Sequence, residues 1–375
     1  MILIIIIIDI NNNNYDINTN NYDINTNNYD ISTNNYINTN DHDINTNNYD
    51  INTNNYDINT NNEFNIYYAN TESYGNHHQF YDPVQQYQAE MRHNILYGFS
   101  KPYRLSDQDK FRQKIAQHNH EIVKTGKYQL GNMWIYVQPI LRTSMNKTKT
   151  YHFAFPFNLP PLEQKYQNVN PIIHIVPLST FEAVNELYNK YPDKEICFLN
   201  FANAIKPGGG YLNGRTAQEE QLCRQSLLYP TLTKNLEMYQ FNIEQNLHEC
   251  GSNYMIYSPL VLFFRDDEFN LIPEPFAVNV ITSPAVDNRN RLENAHSLMR
   301  DRIIRILELA AYHENRVLVL GAFGCGVFKN DPYVVAKLFK EAINMGQFRG
   351  RFDCIYFAIY RSDRNVSNFR QVFYR

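Results

Sequence analysis

The chain has 375 residues, of which 43% are apolar or aromatic, enough to bury a sizeable core in one large domain or two. Its net charge of −4 hides an asymmetry: residues 1–62 hold eight Asp and no Lys, Arg or Glu, which leaves +4 for the rest. That balance suits a polyanionic ligand but falls short of a nucleic-acid-binding patch, so direct DNA binding is not expected.

The first ten residues, MILIIIIIDI, are too few to span a bilayer as a helix and lack the basic flank and cleavage site of a secretory signal, so no membrane attachment is expected. From Tyr15 to Asn62 a seven-residue unit close to NYDINTN repeats, with Ile17, Ile24, Ile31, Ile37, Ile44, Ile51 and Ile58. A coiled coil needs two apolar seam positions per heptad and good helix formers elsewhere, whereas Asn, Asp and Thr compete for the backbone. Residues 1–62 therefore read as a disordered, low-complexity Asn-rich tail capable of β-rich aggregation. Residues 63–108, rich in Tyr, Gln, Asn and His, read as an irregular extension. His77 with His78 and His118 with His120 lack the partners and spacing of a metal site.

From Asp109 the pattern becomes that of an α/β domain running to residue 375. Phe111, Ile115, Ile122 and Val123 recur at helical spacing and Gly126 supplies a stop. Trp134–Val137 reads as a strand, 142–149 as a basic polar loop, IIHIVPLST as a buried strand entering a turn, Phe181–Tyr191 as a helix and Ile196–Phe201 as a strand. This last strand delivers KPGGGYLNGRTAQEE. Gly208, Gly209 and Gly210 lack a Cβ, so their amides can turn toward one anion and a diphosphate can approach the main chain. Gln218, Glu219 and Glu220 open a helix. Two neighbouring carboxyls suit glycosidic cleavage, which needs a proton donor whose pKa a second carboxylate raises. Taken singly, each feature has a plainer reading, a surface turn and an acidic helix start.

Strands follow at Tyr254–Phe264 and Phe276–Ser283, separated by the acidic turn RDDEF, then the loop TSPAVDNR, and a helix over HSLMRDRIIRILELAAYH. Val317–Leu320 reads as a central parallel strand ending in GAFGCGVFKNDP. Gly324 and Gly326 permit a second tight turn that, with Cys325, Val327 and Phe328, faces the other side of a diphosphate. Cys325 has no activating partner in the pattern and reads as a small buried side chain, not a nucleophile. Asp331 and Pro332 begin a helix over Tyr333–Met345, and Asp353–Tyr360 is the last strand. Five cysteines, an odd number unspaced for zinc, indicate a reducing compartment, cytoplasmic or nuclear.

FANAIKPGGG followed by AQEE closely resembles the signature of the microbial-type poly(ADP-ribose) glycohydrolases, a branch of the macrodomain superfamily, and GAFGCGVF is a second match. The resemblance covers most of the chain after Asp109. Family members have tryptophan at the place of Phe323, so an aromatic ring is kept. The resemblance implies a three-layer α/β/α macrodomain-like sandwich with a mixed central sheet, and hydrolysis of ribose–ribose O-glycosidic bonds of poly(ADP-ribose). It implies Glu220 as general acid and base, Glu219 orienting the ribose with support from Gln218, Asn203 holding the terminal ribose and Phe328 pressing on it. It places Thr282–Arg289 along the nucleoside side. Cys223 and Arg224 read as scaffold, the arginine paired with an acid one turn away. No metal or other cofactor is expected. The partner is poly(ADP-ribose) or an ADP-ribosylated protein, and the protein is expected to be a monomer. Removal of single ADP-ribose units from protein, non-catalytic ADP-ribose binding, and a structural role for the tail are the alternatives.

Overall fold

The computed structural model describes residues 4–9, 15–19, 30–32, 36–38, 51–52, 105–166 and 169–375. The expected disordered tail and irregular extension fall largely outside these residues, as do His77 and His78. The chain divides into two compact units, Met1–Lys101 with Lys124–Val137, and Pro102–Val123 with Gln138–Arg375.

In the first unit the described elements are strands β1 (Ile4–Asp9), β2 (Tyr15–Thr19), β3 (Asp30–Ser32), β4 (Tyr36–Asn38), β5 (Ile51–Asn52), β6 (Lys127–Leu130) and β7 (Met133–Tyr136). They form sheets ordered β2-β1-β7-β6 and β4-β3-β5. The strand expected at Trp134 is thus half of a hairpin. Its other half, KYQL, carries too little apolar alternation to announce itself. The turn between them uses Gly131 at φ +59°.

The second unit is built on a seven-stranded mixed sheet ordered β8-β11-β12-β10-β13-β14-β9. Its strands are β8 (Lys149–Tyr151), β9 (Ile172–Val176), β10 (Ile196–Ala202), β11 (Met255–Arg265), β12 (Leu271–Pro284), β13 (Val317–Leu320) and β14 (Cys354–Ala358). Strands β12, β10, β13, β14 and β9 run parallel, while β11 and β8 are antiparallel to their neighbours. The central strands are apolar on both faces because both are covered. Cys197, Leu199, Leu318, Leu320, Ile355 and Phe357 point to one face. Ile196, Phe198, Val317, Val319, Cys354 and Tyr356 point to the other, the period of two expected of a strand.

The helices are α1 (Asp107–Thr125), α2 (Gln138–Lys147), α3 (Thr180–Lys190), α4 (Gln218–Gln225), α5 (Leu228–Lys234), α6 (Glu237–Glu244), α7 (Ala295–Tyr312), α8 (Pro332–Ile343) and α9 (Asp363–Phe373). Helices α7, α8 and α9 cover the first face and α3 to α6 the second, giving the three-layer α/β/α sandwich expected from the resemblance. Two expected caps are in place: Gly126 follows α1 at φ +70°, and Asp331 accepts from the amides of Tyr333 and Val334 ahead of Pro332. The basic loop expected at 142–149 is instead the second half of α2 and the start of β8. Ile140, Leu141 and Ser144 are buried on one side of that helix, an apolar stripe that its polar residues hide in the sequence. No helix among the described residues is long and apolar enough to cross a membrane.

A buried arginine holds loops at the edge of this sandwich. Arg302 on α7 is 1% exposed and donates to the carbonyls of Cys250, Gly251 and Pro284 and to Asn253 Oδ1. Burial lowers its pKa to about 10, which leaves it charged at neutral pH. Arg302→Met should remove the donor from several buried carbonyls and lower the unfolding free energy by about 3 kcal/mol. Urea denaturation measures this, and an unchanged midpoint would show that the guanidinium stabilises nothing.

Candidate active site

Strands β10 and β13 are adjacent and parallel, with Ile196 beside Val317 and Phe198 beside Val319, so the loops that follow them leave the same edge of the sheet. The rings of Phe201 and Phe323, one at the end of each strand, lie 5.4 Å apart. A Cβ on Gly321 would stand 2.9 Å from the Phe201 ring and 2.7 Å from the Ala358 carbonyl, so only glycine fits between. The two glycine motifs are therefore neighbours in space.

Helix α4 brings its first turn against the first of these loops. Glu219 is 2% exposed and Glu220 8%. Glu219 Oε2 accepts from the Asn203 amide at 2.8 Å and Oε1 from Asn200 Nδ2 at 3.2 Å. Asn200 Nδ2 also reaches Thr282 Oγ1 at 3.3 Å, which ties the carboxyl to the junction of β10 and β12. Glu220 Oε1 accepts from the Gly210 amide at 2.8 Å, while its Oε2 is buried and has no hydrogen-bond partner. A Cβ on Gly209, which sits at φ +55°, would lie 2.6 Å from Glu220 Oε1 and 3.1 Å from Glu219 Oε2. Glycine is required there because the main chain passes directly over both carboxyls. Burial, and secondarily the neighbouring Glu220, raise the Glu219 pKa to about 8 against the opposing hydrogen bonds from Asn203 and Asn200.

The amides of the first turn are thus already engaged. Gly209 donates to the Lys206 carbonyl and Gly210 to Glu220, so this loop serves the acids and offers little to an anion. The second turn differs. Among the described residues nothing accepts the amides of Gly326, Val327 or Phe328, and Val327 is 63% exposed. This turn is held from behind: Asn330 Nδ2 donates to the carbonyls of Val286 and Gly324, and the Asn288 amide to the Phe328 carbonyl. Gly324 at φ +71° makes room for that brace, since its Cβ would meet Asn330 Nδ2 at 2.7 Å. Cys325 Sγ points to the Phe323 carbonyl at 3.6 Å, and burial lifts its thiol pKa to about 12, which suits packing and not nucleophilic attack.

Asn203 Oδ1 accepts from the amides of Ile205 and Lys206, an Asx turn that leaves its Nδ2 unengaged within the described protein. Gln218 spends its amide on β10, accepting from Phe201 N at 2.8 Å and donating to the Leu199 carbonyl, so it braces the strand under the acids. Arg224 is fully buried, but the pairing with an acid expected from its spacing is not what holds it. Its guanidinium donates to the carbonyls of Tyr211 and Arg215 and to Gln221 Oε1, closing the loop that carries the glycines. Ser283, Ala285, Val286 and Asp287 of the TSPAVDNR segment are buried behind the second turn. Residues that sequence reading did not single out complete the frame: Arg112 donates to the Gly214 carbonyl, Asn119 to that of Arg224, and Asn242 to that of Ala204. Asn200 alone carried a signal, as a polar residue inside the apolar run ICFLNFA. No group of three His, Cys, Asp or Glu among the described residues is placed to hold a metal ion.

A family model described as the catalytic domain of microbial-type PARG matches residues 116–266. The crystal structure of poly(ADP-ribose) glycohydrolase from Thermomonospora curvata is 32% identical, with 70% of this chain and 100% of that chain covered and a TM-score of 0.65. The same enzyme bound to the inhibitor ADP-HPD superposes with a TM-score of 0.63 at the same identity and coverage. The Deinococcus radiodurans poly(ADP-ribose) glycohydrolase in complex with ADP-ribose is 31% identical over 66% of this chain and 98% of that one, with a TM-score of 0.53. No curated protein matches.

The raised pKa of Glu219 makes stability depend on pH. Between pH 4.5 and about 8 the folded protein keeps a proton that the unfolded chain has released, so this contribution is complete at the acid end and is lost as pH rises through about 8. Urea denaturation across that range should show stability falling with pH for the wild type and a flatter profile for Glu219→Gln; identical slopes would refute the assignment. Gly209→Ala should lower thermal stability by roughly 1–3 kcal/mol through its left-handed backbone alone, with further loss from the displaced carboxyls. A fully stable Gly209→Ala protein would contradict the close approach.

Proposed function

The chain belongs to the microbial-type poly(ADP-ribose) glycohydrolase family, and on that premise we propose that residues 109–375 are its catalytic domain, hydrolysing the ribose–ribose O-glycosidic bonds of poly(ADP-ribose) and releasing ADP-ribose from chain ends. The observation that carries the reading is Glu220 Oε2, a buried carboxyl oxygen with no protein partner beside a sister carboxyl and a glycine turn. An unpaired buried polar atom is costly, and a substrate oxygen at that point relieves the cost.

In this reading the unengaged amides of Gly326, Val327 and Phe328 hold the diphosphate. Asn203 Nδ2 and the Phe328 ring fix the ribose. Burial pushes the Glu219 pKa up to about 8, so that carboxyl keeps a proton into the neutral range. Glu220 passes a proton to the departing ribose oxygen as the bond to the anomeric carbon breaks, and positive charge develops on the sugar. The resulting Glu220 carboxylate then takes a proton from the water that adds to that carbon, which restores the acid. Glu219, fixed by Asn200 and Asn203, orients the sugar hydroxyls.

Labelled polymer incubated with wild type and Glu220→Gln tests the proposal. The wild type should release ADP-ribose, and the variant should lose roughly 10²- to 10⁴-fold in kcat while still binding ADP-ribose. Equal cleavage by both removes Glu220 from the mechanism. Tight ADP-ribose binding without cleavage by the wild type identifies a reader, and turnover confined to singly ADP-ribosylated protein identifies a mono-ADP-ribosyl hydrolase.

A further inference from the structure

Four aromatic rings gather at the end of the sheet that carries the acids. His152 and Phe153 follow β8, Phe241 lies on α6, and Tyr254 precedes β11. The Phe153 ring centroid lies 4.1 Å from that of His152, 5.4 Å from Phe241 and 5.7 Å from Tyr254, and Phe241 lies 4.9 Å from Tyr254. Phe153 is 41% exposed and His152 is exposed beside it. A single exposed ring needs no explanation, but a contiguous group of this kind on a site's rim does.

The register of the sheet puts this group at the catalytic edge. Tyr151 pairs with Met255 and Ile256 with Thr282, and Thr282 is the partner of Asn200, the residue that holds Glu219. The site also has a direction. The unengaged amides follow β13, while Glu219 is tied to the junction of β10 and β12, on the far side of β10 from β13. A substrate gripped by its diphosphate and presenting its glycosidic bond to the acids therefore continues toward β11 and β8. Helix α6 is fastened to the site itself, because Asn242 Nδ2 donates to the carbonyl of Ala204, the residue after Asn203, at 2.7 Å.

We propose that His152, Phe153, Phe241 and Tyr254 form a stacking subsite for the adenine of the ADP-ribose unit on the leaving side of the cleaved bond. This rests on the reading of the substrate as the polymer, in which every unit carries an adenine. Base–aromatic stacking suits the platform because His152 and Phe153 present ring surface to solvent, backed by the half-buried rings of Phe241 and Tyr254. The local charge argues for the base over its phosphates: burial and then Glu237 raise the phenol pKa of Tyr254, so an acidic side chain stands beside the rings. The platform gives the enzyme a means to favour polymer over a single ADP-ribose unit attached to protein.

The test uses full-length Glu220→Gln, in which binding is read without turnover. Adding Phe153→Ser should weaken affinity for long poly(ADP-ribose) about tenfold and leave affinity for free ADP-ribose unchanged, while Phe153→Trp should restore polymer binding. Phe241→Ala should act in the same direction. Unchanged polymer affinity in both Phe153→Ser and Phe241→Ala would overturn the proposal. So would equal weakening of polymer and ADP-ribose, which signals damage to the main site, or conversion of an oligomer to a monomer, which assigns the rings to self-association. Failure of the wild type to cut polymer would strike the hydrolase reading alone, since this comparison reads binding.

Discussion

The structure depends on one contact: the main chain of Gly209 and Gly210 lying against the carboxyls of Glu219 and Glu220. Carboxyl groups this deeply buried are held at considerable cost, and the amides of Asn203 and Gly210 are what offset it. Because the donors are backbone groups, they keep their positions whatever the protonation state of the acids. Any side chain at Gly209 would separate the turn from the helix, so the glycine is set by the acids and the acids by the glycine.

The surrounding sandwich keeps that contact rigid. Asn200 reaches from the middle of β10 to Glu219 and to Thr282 on β12, which fixes the carboxyl to the most buried part of the sheet. Arg224 closes the far side of the loop through carbonyl oxygens, and Arg112 and Asn119 on α1 tie the same loop and the end of α4 to a helix from the start of the domain. The bonds from Arg112 to Gly214 and from Asn119 to Arg224 connect segments more than a hundred residues apart in sequence. Preorganisation of the acids is thus a property of the tertiary fold and not of the motif alone.

Much of this was legible in the amino-acid order, for physical reasons that can be named. Continuous apolar runs such as VLVL and ICFLNFA point to central strands because both faces of the sheet are covered, and the GGG and AQEE elements, separate in sequence, come into contact in the fold. Where reading failed, the signal was hidden. Helix α2 has its buried stripe of Ile140, Leu141 and Ser144 diluted by Arg142, Thr143 and Asn146, and β6 is polar and short. The spacing of Arg224 along its helix suggests an acid partner and gives no sight of the carbonyls that hold it. The bracing residues Asn119, Asn242 and Asn330 are ordinary polar residues until the chain folds around them.

The two glycine turns were expected to share one task, and the hydrogen bonds divide it between them. The first turn spends its Gly209 and Gly210 amides inward, one on its own loop and one on Glu220, whereas the second keeps Gly326, Val327 and Phe328 unengaged. On the proposed reading, a diphosphate held by the second turn lies toward β13, while Glu219 is tied to the β10–β12 junction. On that reading the scissile sugar lies between a site for charge and a site for proton transfer. Such an arrangement would keep the negative diphosphate away from the proton-donating carboxyl, since a like charge nearby at low dielectric would oppose that proton's release. On the proposed reading it is the order of the strands, and not any one side chain, that lets an anionic substrate approach an acidic catalyst.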